Sequence, residues 1–130
     1  MKLLLLVSAG GAIGAALRFL TYQLFAGSLI ARGAAAFPWA TLTVNVVGSL
    51  LMGIAAVLIT ERFGSSADLR AFFMTGVLGG FTTFSAFSLD AFELYAHRAP
   101  EALTAYIAGS VVLSIMALFF GIALARWALT

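Results

Sequence analysis

Four long apolar runs, joined by connections too short to hold a domain of their own, leave this chain little choice but to fold inside a bilayer. They cover residues 3–25, 39–60, 69–96 and 102–127, linked by "GSLIARGAAAF", "ERFGSSADLR" and "HRAPE". Roughly 20 apolar residues cross a hydrocarbon core of about 30 Å as a helix, and a helix satisfies its own backbone on the way. The runs therefore predict an all-α membrane protein, multi-pass, with residues 1–130 forming one four-helix transmembrane domain. The third run, at about 28 residues, exceeds what an upright helix needs, so tilt, an interfacial extension or an interruption is expected. Pro38 and Trp39 suit an interface, and Tyr106 and Trp127 lie near the two ends of the last run.

Composition excludes several classes of function. The chain is 63% hydrophobic and 9% charged, which is too little polar surface to cover a water-soluble globule. Its net charge of +2 comes from scattered residues with no basic block, which argues against nucleic acid as a partner. The lack of cysteine removes disulfides, thiolate metal sites and thiol nucleophiles. Lys2, "LLLLV" and "SAGGA" resemble a secretory signal, but apolar character continues to Phe25, beyond a signal core; even with cleavage three spans would remain.

Orientation is only weakly encoded. One set of ends carries Lys2, Arg62, Arg70 and Arg126; the other carries Arg32 and Arg98, with Arg18 inside the first span toward that side. A bias this small permits insertion in both directions, so that two inverted copies meet, or a single orientation with cytoplasmic termini.

Polar groups within the spans are informative because hydrocarbon offers them no partner. Gly10, Gly14 and Arg18 follow one another at i+4 spacing, a line that lets another backbone approach closely and ends in a guanidinium. That group can snorkel, pair or line an aqueous vestibule suited to an anion. In "TLTVNVVGSLLMG", Asn45 stands near Thr41 and Thr43; it is either glue between helices or part of a pathway. Tyr106, Ser110 and Ser114 form an i+4 stripe on the last span, either bonded back to their own helix or facing a path.

The stretch "GGFTTFSAFS", residues 79–88, brings these together. Gly76, Gly79, Gly80, Thr82 and Thr83 put poor helix formers near the middle of the overlong run, where a break would free backbone groups to bind an ion or line a cavity. Phe84, Phe87 and Ser88 share one helix face beyond it. Ring edges carry partial positive charge and, with hydroxyl and amide donors, suit a small hydrated anion without a fixed charge to trap it; the same phenylalanines at helical spacing also suit plain packing.

"GGAIGAALRF" from Gly10, "TLTVNVVGSLLMG" from Thr41 and "GVLGGFTTFSAFS" from Gly76, in this order on four spans, resemble the Fluc fluoride channels, also called CrcB proteins. The likeness covers essentially the whole chain. It implies a third helix interrupted near its centre and an antiparallel, dual-topology homodimer with two pores in the lipid of a bacterial plasma membrane. It also implies passive, fluoride-selective export that reduces fluoride toxicity, with no catalytic residues. The pathway it implies uses Phe84, Phe87 and Asn45, with Ser110 and Ser114, Tyr106 nearby, and Thr43, Ser85 and Ser88 as a polar track. It assigns Arg18 to a vestibule, and a structural sodium ion on the dimer axis to the backbone carbonyls of Gly79 and Thr82. The chain departs from the family pattern at Ala86, Asp90 and Phe19.

Two other classes compete. A four-span multidrug-type antiporter would need an acid in the first span, which has none. A structural membrane subunit fits the composition and predicts that polar substitutions disturb assembly alone. The single histidine, His97, lies beside Arg98 in a loop that reads as a solvated turn rather than a base, so no enzyme is expected.

Overall fold

The computed structural model describes residues 1–29 and 37–130, so most of the first connection, including Arg32, lies outside the described residues. All regular structure there is helical. Helix α1 spans Lys2–Leu29 and α2 spans Trp39–Glu61. The third segment, α3 (67–81), starts as a short α-helical turn, Ala67–Leu69, widens into a π-helix over Arg70–Leu78 and returns to α geometry over Gly79–Phe81. Helix α4 spans Phe84–Ala96, and α5 spans Pro100–Leu129 with proline in its first turn, where a missing N–H costs nothing. Four stretches, Lys2–Ala26, Trp39–Glu61, Ala67–Ala96 and Pro100–Leu129, are long and apolar enough to cross a membrane.

The third of these is interrupted between α3 and α4. Thr82 (φ −77°, ψ 159°) and Thr83 (φ −154°, ψ 122°) are extended, and helix resumes at Phe84. Of the poor helix formers in this stretch, Gly79 and Gly80 are helical. The threonines take the break because β-branched residues favour extended backbone and because their hydroxyls repair what it exposes. Thr83 Oγ1 accepts the Ala86 N–H at 3.2 Å as the N-cap of α4, and Thr82 Oγ1 donates to Leu78 O at 3.0 Å.

The glycines serve a different purpose. Helix α1 lies along α3, and α2 packs chiefly against α5. A β-carbon on Gly14 would press into Val77 O and sit 2.8 Å from Phe81 N, while one on Gly80 would lie 2.6 Å from Gly11 O. Only hydrogen at these positions lets the two backbones touch. Leu42 of α2, Leu94 of α4 and Tyr106 of α5 form a buried cluster, against which Phe37 and Phe87 pack. The opposite end carries the ion pairs: Lys2 with Asp68, and Arg126 Nε with Glu61 Oε1 at 3.5 Å. Both pairs are exposed and contribute little to stability, but they gather the start of α1, the end of α2, the start of α3 and the end of α5 on one side.

Gly11 and Gly14 offer a test of this packing, because a β-carbon on Gly11 meets nothing within 4 Å. Gly14→Ala is expected to lower thermal stability in detergent by about 1–3 kcal/mol through overpacking against α3. Gly11→Ala should be neutral or slightly stabilising, since alanine favours the helix by up to about 1 kcal/mol. Equal melting curves for the two variants would contradict the arrangement.

Candidate functional site

In an apolar medium the peptide groups released at Thr82 and Thr83 must find partners other than water. Asn45 of α2 supplies two. Its Oδ1 accepts the Thr83 N–H at 2.9 Å and its Nδ2 donates to Thr83 O at 3.0 Å. An amide has two N–H groups on its nitrogen, so one Nδ2 proton remains beyond this pair. From α1, Arg18 Nη1 donates to Thr82 O at 3.2 Å. Helices α1 and α2 thus converge on the two-residue break between α3 and α4.

Beside the break lies a cavity of about 450 Å³, lined by Asn45, Thr82, Thr83, Phe84, Phe87, Ser110 and Ser114 among others. The hydroxyls of Ser110 and Ser114 are buried without a hydrogen-bond partner. They do not bond back to their own helix, as Ser88 does to Phe84 O (2.9 Å) and Thr104 does to Pro100 O (2.8 Å). An unmade bond on a buried hydroxyl costs about 1–3 kcal/mol, so two on successive turns amount to donor capacity held in reserve. The rings of Phe84 and Phe87, also in the lining, lie 5.3 Å apart between centroids at 40°, and Phe87 in turn lies 5.3 Å from Tyr106. The cavity opens at the surface of the chain, where Phe84 is 77% exposed.

The remaining candidates sit around this cavity. Tyr106 is fully buried and donates its hydroxyl to Asp90 Oδ2 at 2.9 Å, which uses its proton outside the cavity. Ser85 Oγ pairs with Thr83 Oγ1 at 3.2 Å, and Ser88 is exposed on α4. Thr43 is half-buried on α2 and is not part of the cavity wall; Thr41, two residues earlier, is buried and bonded to Tyr22 at 2.9 Å. Gly48, Ser49, Met52, Val111, Ile115 and Leu118 also line the cavity and escaped the sequence reasoning. Ser49 stands one turn after Asn45 on the same face, a spacing that marks it; Met52, seven residues after Asn45, carries no polar signal.

The break also offers carbonyl oxygens. In a continuous helix the Thr83 N–H would close on Gly79 O; it is given to Asn45 instead, which releases the Gly79 carbonyl from the helical ladder. Thr82 O already accepts from Arg18 and retains a second lone pair. Neutral oxygens of this kind are ligands for a hard cation, so their chemistry fits a sodium ion.

Comparison with known proteins places the chain in a family. Residues 5–122 match the family model described as "CrcB-like protein, Camphor Resistance (CrcB)". A protein of Rhizobium meliloti named "Fluoride-specific ion channel FluC" is 50% identical over 126 residues, covering 97% of this chain and 98% of its own length. Its namesake in Rhodospirillum centenum is 49% identical, with 98% of each chain covered, and that in Agrobacterium fabrum is 48% identical, with 93% of this chain and 94% of its own covered. A family match over most of the length and identities near one half leave no doubt of kinship: the chain belongs to the CrcB-like family.

Proposed function

We propose that this protein is a passive fluoride-selective channel of the bacterial plasma membrane, exporting fluoride from the cytoplasm and so reducing its toxicity. The observation that carries the reading is the pair of unpartnered hydroxyls, Ser110 and Ser114, sharing a cavity with Asn45 and the rings of Phe84 and Phe87. The relatives named as fluoride-specific channels supply the identity of the anion.

Fluoride is small and holds its water strongly, so a pathway must return hydrogen bonds as water is shed. Two serine hydroxyls and the spare Asn45 N–H are neutral donors that do this without a fixed charge. Phenyl edges add weak positive potential along the same wall. Sites that bind strongly enough to admit an ion and weakly enough to release it are what conduction requires. The driving force is the fluoride gradient: hydrogen fluoride enters as a neutral molecule and dissociates inside, and the anion leaves through the protein.

A groove of about 450 Å³ open to one side is far wider than a bare halide, so a single chain cannot replace the ion's water shell. A second copy closing over Phe84 would narrow it. The weak charge bias between the two sets of ends supports an inverted partner, giving an antiparallel, dual-topology homodimer. In that assembly the Gly79 and Thr82 carbonyls of both copies would hold a structural sodium ion, which supplies positive charge to brace the dimer axis. Vestibular attraction by Arg18, and a polar track through Thr43, Ser85 and Ser88 with Tyr106 beside it, complete the proposal.

Liposomes containing the purified protein are expected to release fluoride far faster than carrier rates and to retain chloride, read with ion-selective electrodes. Phe87→Ile and Phe84→Ile should each reduce fluoride efflux by at least about tenfold, the loss of more than 1.4 kcal/mol, while the dimer survives on a sizing column. Retained flux, or loss of assembly in place of flux, would instead favour a structural subunit. For the inverted pairing, cysteines placed at Lys2 and Arg98 should cross-link between copies as a mixed pair; cross-linking of Lys2 only to Lys2 would indicate parallel copies.

A further inference from the structure

We propose that Arg18 is a positioning residue of the helix break, holding the Thr82–Thr83 peptide in the orientation from which α4 starts. That peptide is planar and trans, so its oxygen and its N–H point in opposite directions. Each end is taken by a different helix: Arg18 of α1 donates to Thr82 O at 3.2 Å, and Asn45 of α2 accepts the Thr83 N–H at 2.9 Å. A group held at both ends from opposite sides cannot rotate about its flanking bonds without losing one of them.

Register explains why an arginine stands there. Gly10, Gly14 and Arg18 occupy one line on α1, one turn apart. Gly10 lies against Phe72 and Gly76, and Gly14 against Val77 and Phe81. Each step along the line moves one turn along α3, and the next step, at Arg18, falls where α3 has ended. Close contact is replaced by a long side chain reaching across the gap to the first carbonyl beyond it.

The consequence reaches the cavity through two residues of chain. Thr83 caps α4 through its hydroxyl, and Phe84 is the first residue of that helix. Rotation of the preceding peptide would move the cap and swing Phe84 and Phe87 with it. A guanidinium on the carbonyl also polarises the peptide, which strengthens the N–H bond to Asn45 and keeps the spare Asn45 proton aimed. This is distinct from attracting anions to an entrance. Positioning acts on conduction at saturating fluoride, whereas charge attraction acts when fluoride is scarce. The effect on flux rests on the channel reading above; the clamp on the peptide does not.

Thr-Thr occurs once in the sequence, at 82–83. Protein grown on threonine labelled in its carbonyl carbon and amide nitrogen therefore has one directly bonded labelled pair, the peptide in question, and gives a single one-bond carbon–nitrogen cross-peak by solid-state NMR in liposomes. Arg18→Ala is expected to move that cross-peak and to lower fluoride flux about tenfold or more at saturating fluoride, the scale of one hydrogen bond from a charged donor. Arg18→Lys, which keeps a charged donor, should move it less and recover part of the flux. If Arg18→Ala does not fold, Arg18→Gln is read in the same way. An unmoved cross-peak, or a flux deficit that disappears when fluoride is raised, overturns the proposal. A wild-type protein that conducts no fluoride would overturn the channel reading, while the cross-peak would still decide the clamp.

Discussion

The structure depends on the price of a free peptide group in an apolar medium. An unbroken helix avoids it; two extended residues in the middle of a span incur it several times over. Each exposed group at Thr82 and Thr83 is met by a side chain chosen for the task. Asn45 matches donor to acceptor and acceptor to donor on Thr83, Arg18 supplies a charged donor to Thr82 O, and the two threonine hydroxyls bond within the adjoining helices. The break is consequently no loose hinge. It ties α1, α2 and the two halves of the third span together at the level where they would otherwise be free to separate.

That tie explains the arrangement of the rest. The molecule consists of two tightly packed pairs, α1 with α3 and α2 with α5, each brought to backbone contact through glycine. Packing of α4 follows neither seam: it leaves the break, turns its Phe87 toward Tyr106 of α5 and ends on the buried cluster of Leu42, Leu94 and Tyr106. The cavity lies beside the break, walled by α2, α4 and α5. Had the third span continued as a straight helix, α4 would not leave Phe84 projecting at the mouth of this space.

Much of the fold is legible in the sequence because apolar length is a direct measure of membrane thickness, and the overlong third run calls for tilt, an interfacial extension or an interruption, of which the last is found. Its position is harder to read. Propensity points to the whole stretch from Gly76 to Thr83 without choosing within it, since it counts only what a residue costs in a helix, while Gly80 is demanded by contact with Gly11, a residue of another helix. Asn45 stands out as a polar group in a span; that its partner is the peptide at Thr83 depends on a tertiary approach that no local pattern contains. The stripe of Ser110 and Ser114 is visible by spacing, yet spacing cannot tell a hydroxyl that bonds to its own helix from one that does not. Ser88 makes that local bond and the other two do not, on the same rule of i+4 periodicity. Arg18 is recognisable as a cation within a span, whereas its acceptor is fixed by where α3 stops.

The unmade bonds of Ser110 and Ser114 bear on why a pathway here would use neutral groups. Either hydroxyl has a carbonyl of its own helix one turn away, and a change of rotamer would satisfy it. Leaving both unsatisfied beside an amide with a proton to spare maintains donors at a cost of a few kcal/mol, a cost that an anion entering the cavity would recover. The cation nearest the break stands apart from these donors, because Arg18 donates to Thr82 O. A guanidinium turned into the cavity would bind fluoride more tightly and release it more slowly. With the guanidinium on Thr82 O, the groups that an anion inside the cavity would meet are hydroxyls, an amide and aromatic rings.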